Sequence, residues 1–215
     1  AGSTFVIPDM RQKPAQGQFA LTSSSSLAAM LQLLTHPPIN LFKDEGGPPD
    51  LAEARADMQT TLEIPLGRKL QRDEIDYAVT GTLTGLVSDT LVKGRRLTAS
   101  SLAVEATPSA LLVEGQALVD GIPVSGRWRN GLTPEEKGKS ELLGKVELSP
   151  SSARAFGIAL PEGSLSGRTS GDLRLFLEKG AAPRFVLTSD LQGLRLSLSA
   201  IGWTKAASTA GRLTV

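Results

Sequence analysis

The stretch Gly115-Gln-Ala-Leu-Val-Asp-Gly-Ile-Pro-Val-Ser-Gly-Arg-Trp-Arg129 decides the fold. Asp-Gly between two alternating runs is a strong two-residue hairpin signal, because the favoured turn needs positive φ at both central residues. A turn at Asp120-Gly121 sets Val119 opposite Ile122, Ala117 opposite Val124, Gly115 opposite Gly126 and Val113 opposite Trp128. All eight then share one face, and a slip of one residue would send every one of them to the other. Arg127 and Arg129 flank Trp128 and therefore point the opposite way.

The same period of two extends in both directions. Met58, Leu62 and Ile64 alternate with Gln59, Thr61 and Glu63, and Ile75, Tyr77, Val79 and Leu83 alternate with Asp76, Thr80 and Thr82. Leu102, Val104 and Ala106 follow, then Leu111 and Val113. Further strands are expected at Leu142–Leu148, Leu173–Leu177, Phe185–Leu191, Leu194–Ala200 and Leu213–Val215. Such alternation reads as antiparallel strands with one face covered. A second hairpin is expected at Gln192-Gly193, pairing Leu191 with Leu194 and Leu187 with Leu198.

Two short helices interrupt the pattern. Leu27, Met30, Leu31 and Leu34 fall at helical spacing after a serine run that supplies an N-cap, and His36-Pro37-Pro38 ends the helix. Ser149 caps a second helix with Pro150 at its first position and Gly157 at its end. Residues 1–22 read as short extended pieces broken by Pro8, Pro14 and Gly17, and 43–50 as a polar loop. The expected fold is mainly β: a long, twisted and curled antiparallel sheet, with the helices packing on or capping its apolar face. The chain divides into an N-terminal extended segment and helix (1–55) and a sheet region (56–215).

Gly81, Gly115, Gly126 and Gly144 each occupy a position in the apolar alternation. One reading is a bulge or bend. The other is a sheet that curls and leaves space on its apolar face for something other than protein.

Composition narrows the function. Lys plus Arg number 23 and Asp plus Glu 22, so the net charge of +1 offers no field for nucleic acid or acidic substrates. There is no cysteine and one histidine, His36, so neither thiolate chemistry nor a zinc site is expected, and no cofactor. Gly163-Ser-Leu-Ser-Gly167 has the outline of a nucleophile elbow but carries Leu165 where the serine should stand. Asp73, Glu74 and Asp76 read as a solvated strand edge. Arg68-Lys69 with Arg72, Lys93 with Arg95-Arg96, and Arg127 with Arg129 read as solvated faces, with anionic headgroups as an alternative contact. An enzyme is not expected.

No apolar run approaches the ~20 residues of a membrane-spanning helix. The abrupt opening, Ala1-Gly2-Ser3-Thr4 against strand-like Phe5-Val6-Ile7, fits a piece of a longer protein whose targeting segment or anchor lies elsewhere.

The pattern Gly115-x-Ala117-x-x-x-Gly121-x-Pro123-x-x-x-x-Trp128 resembles a hairpin of the YhdP-type proteins, members of the AsmA-like group that also includes TamB. The run Leu194 to Lys205 with Ile201-Gly-Trp-Thr-Lys205, closed by Gly211-Arg-Leu-Thr-Val215, is similar to a second family stretch, and Leu62-Glu-Ile-Pro-Leu66 to a third. The similarity runs from about residue 56 onward and departs from the family in lacking its N-terminal membrane helix. It implies a periplasmic segment of a Gram-negative envelope protein, anchored to the inner membrane outside this stretch. It also implies phospholipid movement toward the outer membrane along an apolar groove, without a chemical step, and neighbouring repeats of the same protein as partners. The competing expectation is a structural or adaptor domain that binds another protein through a sheet edge. On the lipid reading the groove is lined by Tyr77, Val79, Leu102, Val104, Val113, Ala117, Val124, Trp128, Leu175, Leu187 and Leu196.

Overall fold

The computed structural model describes residues 2–11, 13–36, 50–67 and 74–215. Its main body is one open antiparallel sheet of 11 strands, long and curled, in which nearly every strand pairs with its neighbour in sequence. The strands are β1 (Thr4–Val6), β2 (Gln16–Ser26), β3 (Glu53–Pro65), β4 (Asp76–Val92), β5 (Arg95–Ala106), β6 (Ala110–Val119), β7 (Ile122–Gly131), β8 (Lys139–Leu148), β10 (Thr169–Glu178), β11 (Arg184–Ser189) and β14 (Leu213–Thr214). Three more, β9 (Leu165–Gly167), β12 (Leu194–Leu198) and β13 (Trp203–Lys205), form a separate small sheet in the order β13-β12-β9.

The Asp120-Gly121 hairpin has the expected register throughout, from Val119 opposite Ile122 to Val113 opposite Trp128. Asp120 and Gly121 take φ of 49° and 80°, as a type I′ turn demands. The turn is tied to its neighbour: Asp120 Oδ1 accepts from the Arg96 N–H at 2.9 Å and Oδ2 from Arg95 Nη1 at 2.8 Å.

The two helices also form as the sequence predicts. In α1 (Leu27–Leu33) the Ser26 side chain accepts from the Ala29 N–H at 3.2 Å. In α2 (Pro150–Ala155) Ser149 and Ser152 make a reciprocal capping box, and Gly157 follows with φ of 74°. Leu27 and Met30 of α1 pack on the core, which gathers Ala52, Ala56, Met58, Leu83, Leu86, Ala99, Leu102 and Val104.

Two expectations fail. Gln192-Gly193 is not a hairpin within the long sheet. Leu187 pairs with Leu173, while β12 pairs with β9 and β13. The chain leaves the sheet because Leu191 takes a φ of 56°, and three backbone carbonyls there (Leu191, Leu194 and Ala206) converge on the buried Lys205 ammonium at 2.7, 2.9 and 3.2 Å. A buried cation needs such partners, and holding them turns the backbone away from β11. Residues 16–26 are also more regular than short extended pieces. They form one strand of 11 residues that pairs with β3 along its length, serines included.

The strand glycines mark close approach rather than empty space. Gly126 and Gly144 face each other across β7 and β8. A Cβ on Gly126 would meet the Leu143 carbonyl oxygen and lie 2.7 Å from the Gly144 Cα. Above Gly115 the Leu102 Cδ2 already stands 2.8 Å from where a Cβ would be, and above Gly81 the Met58 side chain fills the position.

Candidate functional site: one apolar face with an open upper half

Pairing registers carry the apolar positions across the sheet in rows. One row runs Met58, Gly81, Val104, Val113, Trp128, Leu142, Leu175 and Phe185. The next runs Ala56, Leu83, Leu102, Gly115, Gly126, Gly144, Leu173 and Leu187. Because side chains alternate along a strand, rows two residues apart share a face. Tyr77, Val79, Leu102, Val104, Val113, Ala117, Val124, Trp128, Leu175 and Leu187 therefore lie on one face of one sheet. Leu196 does not join them. It sits on β12 in the small sheet, opposite Leu165 and Lys205.

The other face mixes exposed Leu118, Leu143 and Val186 with cross-strand ion pairs, among them Glu114–Arg127 at 2.7 Å and Asp172–Lys145 at 2.6 Å. Arg129 binds Glu136 through two hydrogen bonds of 2.8 and 2.7 Å, which hold the Glu136 carboxyl below its ordinary range. Exposed pairs of this kind are screened by water, so they mark the wet face more than they stabilise it.

Burial varies along the strands. Call the lower rim the one that bears the Asp120-Gly121 turn. Among the described residues, α1 after β2, α2 with β9 after β8, and β12–β13 after β11 hang from it. Leu86, Ala99, Ile122, Val146 and Leu194 near this rim are buried. Toward the upper rim, Val79, Ala106, Leu111 and Leu177 are only partly buried; one row below, Met58 and Val104 are buried while Val113, Trp128, Leu142 and Leu175 are partly buried, as are Leu97, Val119 and Leu148 at the lower rim. Burial pushes the Tyr77 phenol above its ordinary value, as an apolar setting requires. Among the described residues no large side chain is fully buried; the accessible surface of the whole chain is 14334 Å². A compact monomer of this mass would expose about 9,500 Å².

The strip is an open surface. A concavity of about 110 Å³ beside the β10–β11 turn touches its upper end at Leu177, and another of about 550 Å³ lies around Lys145, Asp172 and Asp190. Neither is lined by His36, Glu74 or Asp76. His36 follows α1, with its N–H on the Leu33 carbonyl, while Glu74 and Asp76 stand at the upper end of β4. Asp73, Arg68, Lys69 and Arg72 lie outside the described residues. Arg95 and Arg96 are paired with Asp120 and Asp89, at 2.8 and 3.6 Å. Among the described residues no three His, Cys, Asp or Glu side chains are grouped as metal ligands, and no helix is long and apolar enough to cross a membrane.

No protein-family model, curated protein or solved structure matches the chain.

Sequence reasoning missed what closes the lower rim. Arg95 Nη1 also donates to the Ala155 carbonyl at 2.8 Å, and its guanidinium lies 5.0 Å from the centre of the Phe156 ring. The end of α2, which leaves β8, is thereby fixed to the start of β5. Arg95 and Phe156 are 61 positions apart, with no pattern in the sequence to connect them.

Proposed function

We propose that this chain is a non-catalytic, acyl-chain-binding segment of an AsmA-like, YhdP-type envelope protein. On this reading it serves phospholipid movement between inner and outer membranes, stands in the periplasm, and continues into neighbouring repeats and an inner-membrane anchor outside this stretch. The observation that carries the reading is the half-open apolar strip, continuous across the strands, with no large side chain fully buried among the described residues. Each buried methylene contributes about 0.8 kcal/mol, so an acyl chain laid on that strip gains substantially.

A second reading has one observation in its favour. β14 and Val215 pair with Leu187–Ser189 of β11, and Phe185 and Val186, further along the same edge, are exposed. An adaptor would pair another protein's strand with that edge.

Native mass spectrometry of gently purified protein tests the first reading. Phospholipid should co-purify, and should be lost from the folded double variant Val113→Asp, Val124→Asp. Retention unchanged by two charges on the strip would overturn the lipid reading and favour the adaptor.

A further inference from the structure

The small sheet, away from the apolar strip, ends in an exposed apolar tip. Its strands β9, β12 and β13 are antiparallel, so the start of β9, the end of β12 and the start of β13 lie together. The Ser197 N–H donates to the Ser164 carbonyl at 2.8 Å and carries that alignment one step past the ladder. Two segments meet at this end: 156–163, which leads from α2 into β9, and 198–204, around a 3₁₀ turn at Ser199–Ile201. Every residue of both segments is exposed. In a chain that is 21% charged, Glu162 is the one charge they carry. The exposed cations nearest in sequence, Arg154 and Arg195, precede the two segments. Exposure grows steadily toward the tip: Leu194 is 3% exposed, Leu198 37%, its cross-strand partner Trp203 45%, and Ile201, on the turn itself, 72%. Ile158 and Leu160 are exposed on the neighbouring segment. Single apolar residues on a surface need no explanation, but a group of this kind marks an interaction site.

We propose that this end of the small sheet is a membrane-contacting tip, which places Ile158, Leu160 and Ile201 at the acyl boundary of a zwitterionic phospholipid surface and Trp203 at the level of the headgroups. A folded partner must match a contact in shape, whereas a lipid surface deforms around segments that project with every residue exposed. The order of exposure fits an interface: an aliphatic apex lies deepest, and the amphipathic indole stands behind it, where its N–H stays wet. With Glu162 as the one charge, attraction to anionic headgroups contributes nothing, so the contact is apolar and insensitive to salt. The tip is separate from the strip on the long sheet, and the proposal stands or falls independently of the acyl-chain reading.

Flotation with phosphatidylcholine vesicles, together with Trp203 fluorescence in a Trp128→Phe background, tests it. The chain should float with the vesicles equally at low and high salt. Trp203 emission should shift to the blue and be quenched by bromine atoms on the acyl chains. Ile158→Asp with Ile201→Asp should cut the bound fraction at least tenfold, and Ile201→Asp alone serves if the pair does not fold. Ile158→Leu with Ile201→Leu should keep binding, and the strip pair Val113→Asp with Val124→Asp should leave the Trp203 quenching in place. Trp203 emission indifferent to vesicles would overturn the tip, as would flotation that needs anionic lipid or is lost with the strip pair alone. Self-association abolished by the tip charges, with no vesicle binding by the wild type, would assign the surface to a second copy of the chain instead. Any of these results leaves phospholipid co-purification, and with it the acyl-chain reading, untouched.

Discussion

Gly126 shows how a single residue sets the shape of the sheet. Replacing a strand glycine by alanine ordinarily stabilises a protein by about 0.5–1 kcal/mol, because glycine loses more backbone freedom on folding. Here the sign should reverse. The new methyl group would run into the Leu143 carbonyl oxygen and the Gly144 Cα, and backbone atoms of a central strand cannot turn aside as a side-chain tip can. Overpacking of this kind costs about 1–3 kcal/mol. Gly126→Ala should therefore lower the urea midpoint without changing the slope of the transition, and a raised midpoint would show that β7 and β8 tolerate the side chain. Glycine at these positions lets two backbones meet, so it marks close approach rather than an empty seat for a ligand.

At the scale of elements, α2 depends on a contact from far along the chain. Six residues are too few for a helix stable by itself. Its ends are held by the Ser149–Ser152 capping box and by Arg95 at the Ala155 carbonyl and the Phe156 ring. Arg95→Met should leave the long sheet intact and raise amide exchange in 150–157 by tenfold or more, equivalent to about 1.4 kcal/mol of lost local protection. Unchanged exchange there would show that α2 stands without Arg95. The same junction should loosen in acid. The Asp120 carboxyl is held below its ordinary value, first by the Arg96 N–H and then by Arg95. Its contribution is thus fully present above the ordinary carboxylate range and is lost as the pH falls through the lowered folded value. Exchange in 150–157 should rise over that acid window in the wild type but not in Asp120→Asn, and an equal rise in both would assign the effect to another carboxylate.

What the sequence made legible follows the range of the interaction. The Asp120-Gly121 hairpin, the strand alternation and both helix caps are local, so turn chemistry and period were enough to read them. The small sheet was illegible because Leu194, Leu196 and Leu198 alternate equally well in either sheet. The discriminating residue is Lys205, a charge at an apolar position that only makes sense once three carbonyls converge on it. Of the candidate strip, ten positions were readable from parity alone, whereas Leu196 needed to be known as part of a different sheet.

For the whole molecule, the large accessible surface has a consequence that does not depend on which ligand is natural. An open sheet with a half-exposed apolar face leaves Val113, Trp128, Leu142 and Leu175 in partial contact with water, and Phe5 on β1 and Phe185 on β11 more than half exposed. Contiguous apolar surface of this kind is rare on proteins that remain monomeric. The isolated, lipid-free chain should therefore self-associate as its concentration rises, with a sedimentation coefficient that climbs accordingly. Two charges on the strip, in Val113→Asp with Val124→Asp, should suppress that climb because each carboxylate would have to be desolvated in the contact. Charges on the wet face, as in Thr80→Asp with Thr82→Asp, should leave it unchanged. Association reduced equally by both pairs would place the contact at the sheet edges or in general charge repulsion. Reduction by the strip pair alone would show that the face itself is the adhesive surface and that any natural ligand or partner must cover it.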